Sequence, residues 1–242
     1  MTDEIEFRSD VTVELVRAQA QDSDVLFAAR VSTIGEQSRP DEGEAEELHK
    51  RDRGLINFLM RDRHGTPFEH NSMTFYVQAP IFVFREFQRH RIASYNEESG
   101  RYRQLQPAFY VPAPERNLRQ EGRPGKYEFH PGTPEQTALV SEEVRAQSEA
   151  AYRSYERMLD AGVAREVARM VLPLNIYSSM YVTMNARSLM NFLSLRRLVE
   201  GSQFPSFPQR EIEMCAEKME DLWTELMPIT AEVFNSNGRV AP

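Results

Sequence analysis

The chain has 242 residues, 40% of them hydrophobic, a formal net charge of -8 and a pI near 5.3. That length buries a core without staples, and the single cysteine, Cys215, excludes an internal disulfide and any multi-cysteine zinc or iron–sulfur site. The acidic balance argues against broad nucleic-acid binding, which needs an extended basic surface, so an anion site must be local. The opening MTDEIEFRSDVTVELV lacks the basic segment and apolar run of a secretory signal, and no stretch has the apolar length of a membrane span, so a cytoplasmic protein is expected.

In chain order, residues 11–19 (VTVELVRAQ) alternate apolar and polar as a strand does, and DVLFAARVST reads as a short helix begun by Asp24. EAEELHKRDRGLINFLMRDRHG has helical spacing and is expected to end near Gly65. MTFYVQAPIFVF is the best strand candidate, with Met73, Phe75 and Val77 on one side. The proline- and glycine-rich stretch 104–132 has no period and reads as a long ordered loop.

Thr133 as N-cap, Pro134 behind it and Gln136 at the third position open a long helix running to about Gly162. Further helices are expected in AREVARMVLP, in MNARSLMNFLSLRRLVEG and in PQREIEMCAEKMEDLWTELM, where Ile212, Cys215, Met219 and Leu222 keep helical spacing and make Cys215 a core residue. The strands before 104 need the later helices as cover, so one α+β domain over residues 1–242 is expected, with a sheet packed by long helices.

Several chemistries are absent from the pattern. There is no dinucleotide fingerprint, P-loop or nucleophile elbow. The five histidines, His49, His64, His70, His90 and His130, do not form H-E-x-x-H, and no metal site is expected. An enzyme of this composition would handle ligand charge with arginines and take its reactive group from a cofactor.

The stretch RHRIASYNEESGRYR, residues 89–103, gathers Arg89, His90, Arg91, Arg101 and Arg103 around Glu97 and Glu98. Guanidinium forks match phosphate oxygens two at a time, Ser94, Asn96 and Ser99 add neutral donors, and Gly100 permits close backbone approach. Glu97 would oppose a bare phosphate but can accept from sugar hydroxyls or a base N–H, which points to a nucleotide. A surface ion-pair network is the other reading of the same residues. In NARSLMNFLSLRR, residues Ala186, Leu189, Met190 and Leu193 share an apolar stripe with Asn185, Phe192 and Arg196 along its border. Arg187 and Asn191 face another way, and Arg165 and Arg169 lie one turn apart on the preceding helix; each of these helix arginines, taken alone, reads first as an exposed one.

RHRIASYNEESGR fits R-H-R-x-x-S-x-N-x-x-S-x-R and resembles the motif of the flavin-dependent thymidylate synthases. HGTPFEH (64–70), APIFVFREFQ (79–88), GVAREVARMVLP (162–173) and NARSLMNFLSLR (185–196) resemble the same family in the same order, over about residues 24–235. The resemblance implies an α+β homotetramer with active sites at subunit contacts, which methylates dUMP to dTMP using FAD, with 5,10-methylenetetrahydrofolate as carbon donor and NADPH as reductant.

By matching position the resemblance implies FAD contacts from Arg89, His90, Arg91, Glu97, Asn185, Ala186, Arg187 and Asn191, with Thr66 and His64 beside the flavin from another chain. For dUMP it implies Glu86, Phe87, Gln88, Arg89, Glu97, Glu98, Ser99, Gly100, Arg101, Arg169 and Arg196. The resemblance also implies for Arg196 the catalytic role of stabilising negative charge on the uracil ring, with hydride from the flavin replacing cysteine addition at C6. Ser99 lacks an activating partner in sequence and is assigned to binding.

One region departs from the family pattern. RLVEGSQFPSFPQREI after Arg196 is longer, with Glu200 near the place of a family histidine, and Phe204 and Phe207 are expected in a packed loop. A family-like protein that has lost catalysis and a nucleic-acid-binding module are the alternatives.

Overall fold

The computed structural model describes residues 4–34, 45–123 and 126–242. The chain is α+β, with β1 (Glu6–Arg8), β2 (Thr12–Gln19), α1 (Asp22–Ile34), α2 (Ala45–Arg61), a 3-10 turn (Thr66–Glu69), β3 (Ser72–Pro80), α3 (Ile81–Phe87) and β4 (Ser94–Glu97) in its first part. There follow β5 (Ala108–Tyr110), β6 (Asn117–Arg123), β7 (Lys126–Pro131), α4 (Pro134–Asp160), α5 (Arg165–Ala168), a second 3-10 turn (Arg169–Val171), β8 (Tyr177–Met184), α6 (Ala186–Arg196), α7 (Arg210–Leu226) and α8 (Pro228–Ser236). One sheet has the order β2-β3-β8-β4, β1 pairs in parallel with β5, and β6 pairs antiparallel with β7.

The chain forms two compact units, one of Met1–Asp10, Gln78–Phe84 and Glu97–Ser179, the other of Val11–Val77, Arg85–Asn96 and Met180–Pro242. In the first, Leu105, Phe109, Tyr152, Tyr155, Ala168 and Ile176 form a buried cluster. The two tyrosines are buried because their hydroxyls are satisfied: Tyr152 donates to Leu105 O (3.0 Å), and the Leu105 N–H donates to Tyr155 Oη (3.3 Å). Thr133 and Gln136 close the capping box of α4 as expected, and the chain leaves that helix through Gly162 at φ +79.

In the second unit α7 packs on β2, α6 and α8. Ile212, Cys215, Ala216, Met219 and Trp223 are its buried face, and Trp223 meets the Phe234 ring edge-on at 6.0 Å between centroids. Burial pushes the Cys215 thiol up, so it is a core residue rather than a nucleophile. On β3, Met73, Phe75 and Val77 alternate inward as their period requires.

Several expectations change. The apolar run after Pro80 is helix α3 rather than more strand. The stretch 104–132 contains β5 and the β6–β7 hairpin; most of β6 is exposed, so its sequence carries no alternation, and residues 124 and 125 lie outside the described residues. The helix in AREVARMVLP is one turn of α5 and one 3-10 turn. Glu44, the first residue of the expected second helix, lies outside the described residues, and that helix ends not at Gly65 but at Arg61, with Arg63 at φ 62. Strand β4 inside the arginine motif, strand β8 and helix α8 carried no sequence signal that singled them out.

Helix α1 begins at Asp22, not Asp24, and the Asp22 carboxylate caps α8, accepting from Ile229 N (2.9 Å), Thr230 N (2.8 Å) and Thr230 Oγ1 (2.6 Å). Replacing Asp22→Ala leaves three donors unmatched and is expected to cost about 1–2 kcal/mol. Urea unfolding checks this, and a midpoint equal to that of the parent chain contradicts the cap.

Candidate functional site

In the second unit the end of α3 turns sharply. The Arg89 N–H donates to Glu86 O (3.2 Å) and the His90 N–H to Phe87 O (2.9 Å), while the Tyr95 hydroxyl lies 2.7 Å from both Phe87 O and His90 O. Burial pushes the Tyr95 phenol up to about 12, so it stays a neutral donor that ties the turn down. Phe87 faces inward and stacks on Phe192 of α6 at 4.9 Å between centroids, 17° from parallel. Phe192 is thus fully buried rather than a border residue.

That stacking brings Arg196, in the last turn of α6, to the end of α3. Its Nη1 donates to Glu86 Oε2 (2.7 Å) and its Nε to His90 Nε2 (3.0 Å). A ring nitrogen that accepts is unprotonated, so the His90 proton sits on Nδ1. Burial, and then the positive charge of Arg196, depress His90 to about 4. Burial raises the Glu86 carboxyl, with Arg196 opposing and Glu211 reinforcing the shift. Among the described residues Arg196 Nη2 has no partner, so one edge of a fixed guanidinium remains for a ligand.

The start of α6 is built with equal care. Asn185 Oδ1 accepts from Ser188 N (2.8 Å), and Asn71 Oδ1 accepts from Ala186 N (2.7 Å). Ala186 is buried with its N–H already bonded, while among the described residues the Asn185 amide nitrogen has no partner. Arg187 donates from Nε to Pro242 O (2.6 Å) and from Nη1 to Glu69 Oε1 (2.5 Å). Thr66 and Asn191 are exposed, and His64 stacks on Phe58 at 5.5 Å. Gln88, Arg89 and Arg91 are exposed, and the last two have no ion pair among the described residues.

In the first unit Glu97 ends β4, Glu98 follows it, and Ser99, Gly100 and Arg101 enter a tight turn, with Tyr102 N donating to Ser99 O (3.0 Å) and Arg101 N to Ser99 Oγ (3.3 Å). A Cβ on Gly100 would sit 3.2 Å from Arg169 Cδ, so the glycine lets the Arg169 stem pass across the turn. Burial raises the Glu97 carboxyl, while the Ser178 hydroxyl and Arg169 work against that shift. Arg101 Nε bonds Glu166 Oε2 (3.0 Å) with both side chains half exposed, a contact a ligand phosphate can displace at small cost. Arg103 pairs with Glu98 at 3.0 Å. Among the described residues no base is bonded to Ser99 Oγ.

Sequence reasoning missed Asn71, Tyr95 and Glu69, which act by holding other residues. Their partners lie 115 positions away for Asn71 and 118 for Glu69, which no local pattern reveals. Tyr95, inside the motif, could have been found as the one aromatic residue between Arg91 and Arg101. Phe204 and Phe207 are 67% and 65% exposed, which corrects the expectation of a packed loop. No group of three or more histidine, cysteine or carboxylate residues fit to hold a metal occurs among the described residues.

Each unit of this α+β chain thus carries arginines held by defined partners, Arg196 and Arg187 in the second and Arg101 and Arg103 in the first. Residues 14–229 match the family described as thymidylate synthase complementing protein. The chain is 65% identical over 242 residues to the flavin-dependent thymidylate synthase of Streptomyces coelicolor, covering 98% of this chain and 96% of that one. It is 52% identical to the UMP/dUMP methylase PolB of Streptomyces cacaoi. The structure of PolB with 5-Br dUMP matches at a TM-score of 0.91 over 98% of this chain and all (100%) of that one; with 5-Br UMP it matches at 0.89 over 99% and 100%. This chain therefore belongs to the flavin-dependent thymidylate synthase family.

The depressed His90 gives a signed pH dependence. Its folded value near 4 lies below the ordinary 6.5, so the stability it contributes is full above about 6.5 and is lost as pH falls towards 4. In a histidine NMR titration the His90 ring is expected to remain neutral, protonated on Nδ1, to about pH 4. Titration near 6.5 would contradict the Arg196 bond.

Proposed function

We propose that this chain is an FAD-dependent enzyme that reductively methylates dUMP to dTMP, with 5,10-methylenetetrahydrofolate as carbon donor and NADPH as reductant. The observation that carries the reading is Arg196, a guanidinium fixed between a carboxylate and a neutral imidazole with one edge left over, in a chain of this family.

The residues fit a flavin nucleotide. Arg89 and Arg91 are exposed cations without ion pairs among the described residues, matching a pyrophosphate, and buried Gly65 beside Thr66 keeps that turn free of a side chain. Arg89, His90, Arg91, Glu97, Asn185, Ala186, Arg187, Asn191 and Thr66 would hold FAD. Of these, Ala186 would contribute only packing, since Asn71 already accepts from its N–H. Bound there, FAD supplies the hydride chemistry that no side chain here can. Cys215 cannot take the alternative route of adding to uracil C6, since it is buried and its thiol is held protonated.

The chain's own groups then have separate tasks. Arg101 and Arg169 neutralise the dUMP phosphate, with Ser99 and the backbone of Gly100 as neutral donors. Glu86, Phe87, Gln88, Glu97 and Glu98 line the nucleotide, the carboxylates accepting from N–H or hydroxyl groups. Arg196 stabilises negative charge on the uracil ring. His90, neutral at physiological pH, orients the Arg196 fork without adding a second positive charge to it.

The family match runs through both compact units, which supports reading the chain as one functional domain. We assign it a homotetramer with active sites at subunit contacts; exposed Met170 (77%) and Ile92 (78%) beside the arginines supply apolar surface for such contacts. No helix among the described residues is long and apolar enough to cross a membrane, and we place the enzyme in the cytoplasm. That PolB is a UMP/dUMP methylase favours a second reading, in which UMP is also accepted.

Tritium release from 5-labelled dUMP and from 5-labelled UMP, with and without NADPH and methylenetetrahydrofolate, tests the reading. Release from dUMP that requires both cosubstrates in a yellow protein is expected. Protein that binds FAD and dUMP without release would be a family member that has lost catalysis, and colourless protein that shifts RNA or DNA would be a binding module. Arg196→Ala is expected to lower turnover about 10²–10³-fold. Arg101→Ala and Arg169→Ala are expected to weaken dUMP binding roughly 10- to 100-fold, as loss of a charged hydrogen bond does, with turnover at saturation largely kept.

A further inference from the structure

The segment Gly238–Pro242 runs beside the start of α6, and every contact it makes there is with the second unit. Gly238 and Arg239 both adopt left-handed backbone, at φ 74 and φ 58, which turns the chain out of α8. Arg239 is 4% exposed and grips Glu220 of α7 with both terminal nitrogens, Nη1 to Oε1 (2.6 Å) and Nη2 to Oε2 (2.7 Å). It also bonds Asn235 and lies over the Phe234 ring at 4.9 Å. Arg197 Nη1 reaches Glu220 as well (2.8 Å), and Arg239 holds Glu220 below the ordinary carboxylate range despite its burial. The turn is therefore anchored in the core.

Beyond that anchor the segment delivers backbone oxygens in sequence. Arg63 Nη1 donates to Val240 O (2.9 Å) and Ala241 O (3.1 Å), and Arg187 Nε donates to Pro242 O (2.6 Å). Arg63 stands at φ 62, where a glycine would sit without strain but could not supply the guanidinium that reaches Val240 O and Ala241 O. Gly65 shows how tight the junction is: a Cβ there would come within 2.5 Å of the Arg187 guanidinium and 2.8 Å of Pro242 O.

We propose that residues 239–242 form a strap that positions Arg187, with Pro242 O fixing its Nε and Glu69 fixing Nη1, so that the remaining edge of the guanidinium is presented to the anionic part of the flavin nucleotide. The inference rests on the assignment of Arg187 to FAD made above. Arg187 is the ligand-contacting group, and Arg63, Arg239 and the strap are positioning elements acting through it. A guanidinium held at two nitrogens keeps its planar fork aimed, and the rotamer entropy that binding would otherwise remove is lost before the ligand arrives.

The test uses the full chain and three changes: a variant lacking residues 240–242, which keeps the Arg239–Glu220 anchor, Arg63→Gly and Arg187→Ala. FAD affinity is measured by flavin fluorescence, thermal stability by unfolding, and the Arg187 Nε–H by its NMR cross-peak in ligand-free protein. Each change is expected to weaken FAD binding roughly tenfold, the scale of one charged hydrogen bond. Arg63→Gly is expected to do so with unfolding temperature unchanged or raised, since it relieves a left-handed arginine. The deletion should abolish the protected Nε–H signal and should add nothing to Arg187→Ala, because two changes acting through one group are not additive.

Full FAD affinity in both the deletion and Arg63→Gly, with affinity lost in Arg187→Ala, would overturn the strap and leave the proposed function standing. Losses that add to that of Arg187→Ala would overturn it too. An Arg187→Ala protein that binds FAD normally removes the assignment of Arg187 and the strap with it, and a parent chain that takes up no FAD removes the proposed function itself.

Discussion

The site depends on one guanidinium. Arg196 reaches the end of α3 because Phe192, one turn earlier on α6, stacks on Phe87, and the aromatic contact sets the spacing at which Glu86 and His90 can receive it. Partly buried ion pairs give little net stability, since desolvation consumes most of the attraction. The gain here is geometric: a cation held at two of its nitrogens keeps one orientation. The neutral state of His90 belongs to the same arrangement, because a charged ring could not accept from Nε and would repel the guanidinium.

The same logic repeats at the other end of α6. Asn71 and Asn185 satisfy the first N–H groups of the helix, which fixes its start and hence the direction of Arg187. Glu69 and Pro242 then hold that arginine from two sides. Helix α6 therefore carries a fixed cation near each end, and its apolar face, Ala186, Leu189, Met190 and Leu193, keeps it from rotating between them. In the other unit the geometry is softer. Arg101 and Glu166 meet on the surface, and the Arg169 stem passes close over Gly100.

Much of this was legible locally. The α4 capping box, the alternation of β3, the stripe of α6 and the core position of Cys215 are set by neighbours within a few residues, and each appears where its pattern placed it. The β6–β7 hairpin was not legible, because its strands face solvent and need no apolar alternation. Helix α3 was misread as strand since a short apolar run buried on most sides carries no period of its own. Asp22 was passed over because the helix it caps begins 206 positions later, at Pro228.

By itself the sequence determined the chemical inventory: clustered arginines, a single thiol at a helical core position, and a motif specific enough to imply a family. The tertiary structure alone decided which arginines are fixed and by what. Arg196 and Arg187 are the same residue type on one helix, yet one is held by a neutral histidine and a carboxylate, the other by a carboxylate and a backbone oxygen. The reason is physical. A residue's type sets what charge it can carry, but its orientation and protonation follow from partners that only folding brings within hydrogen-bonding distance.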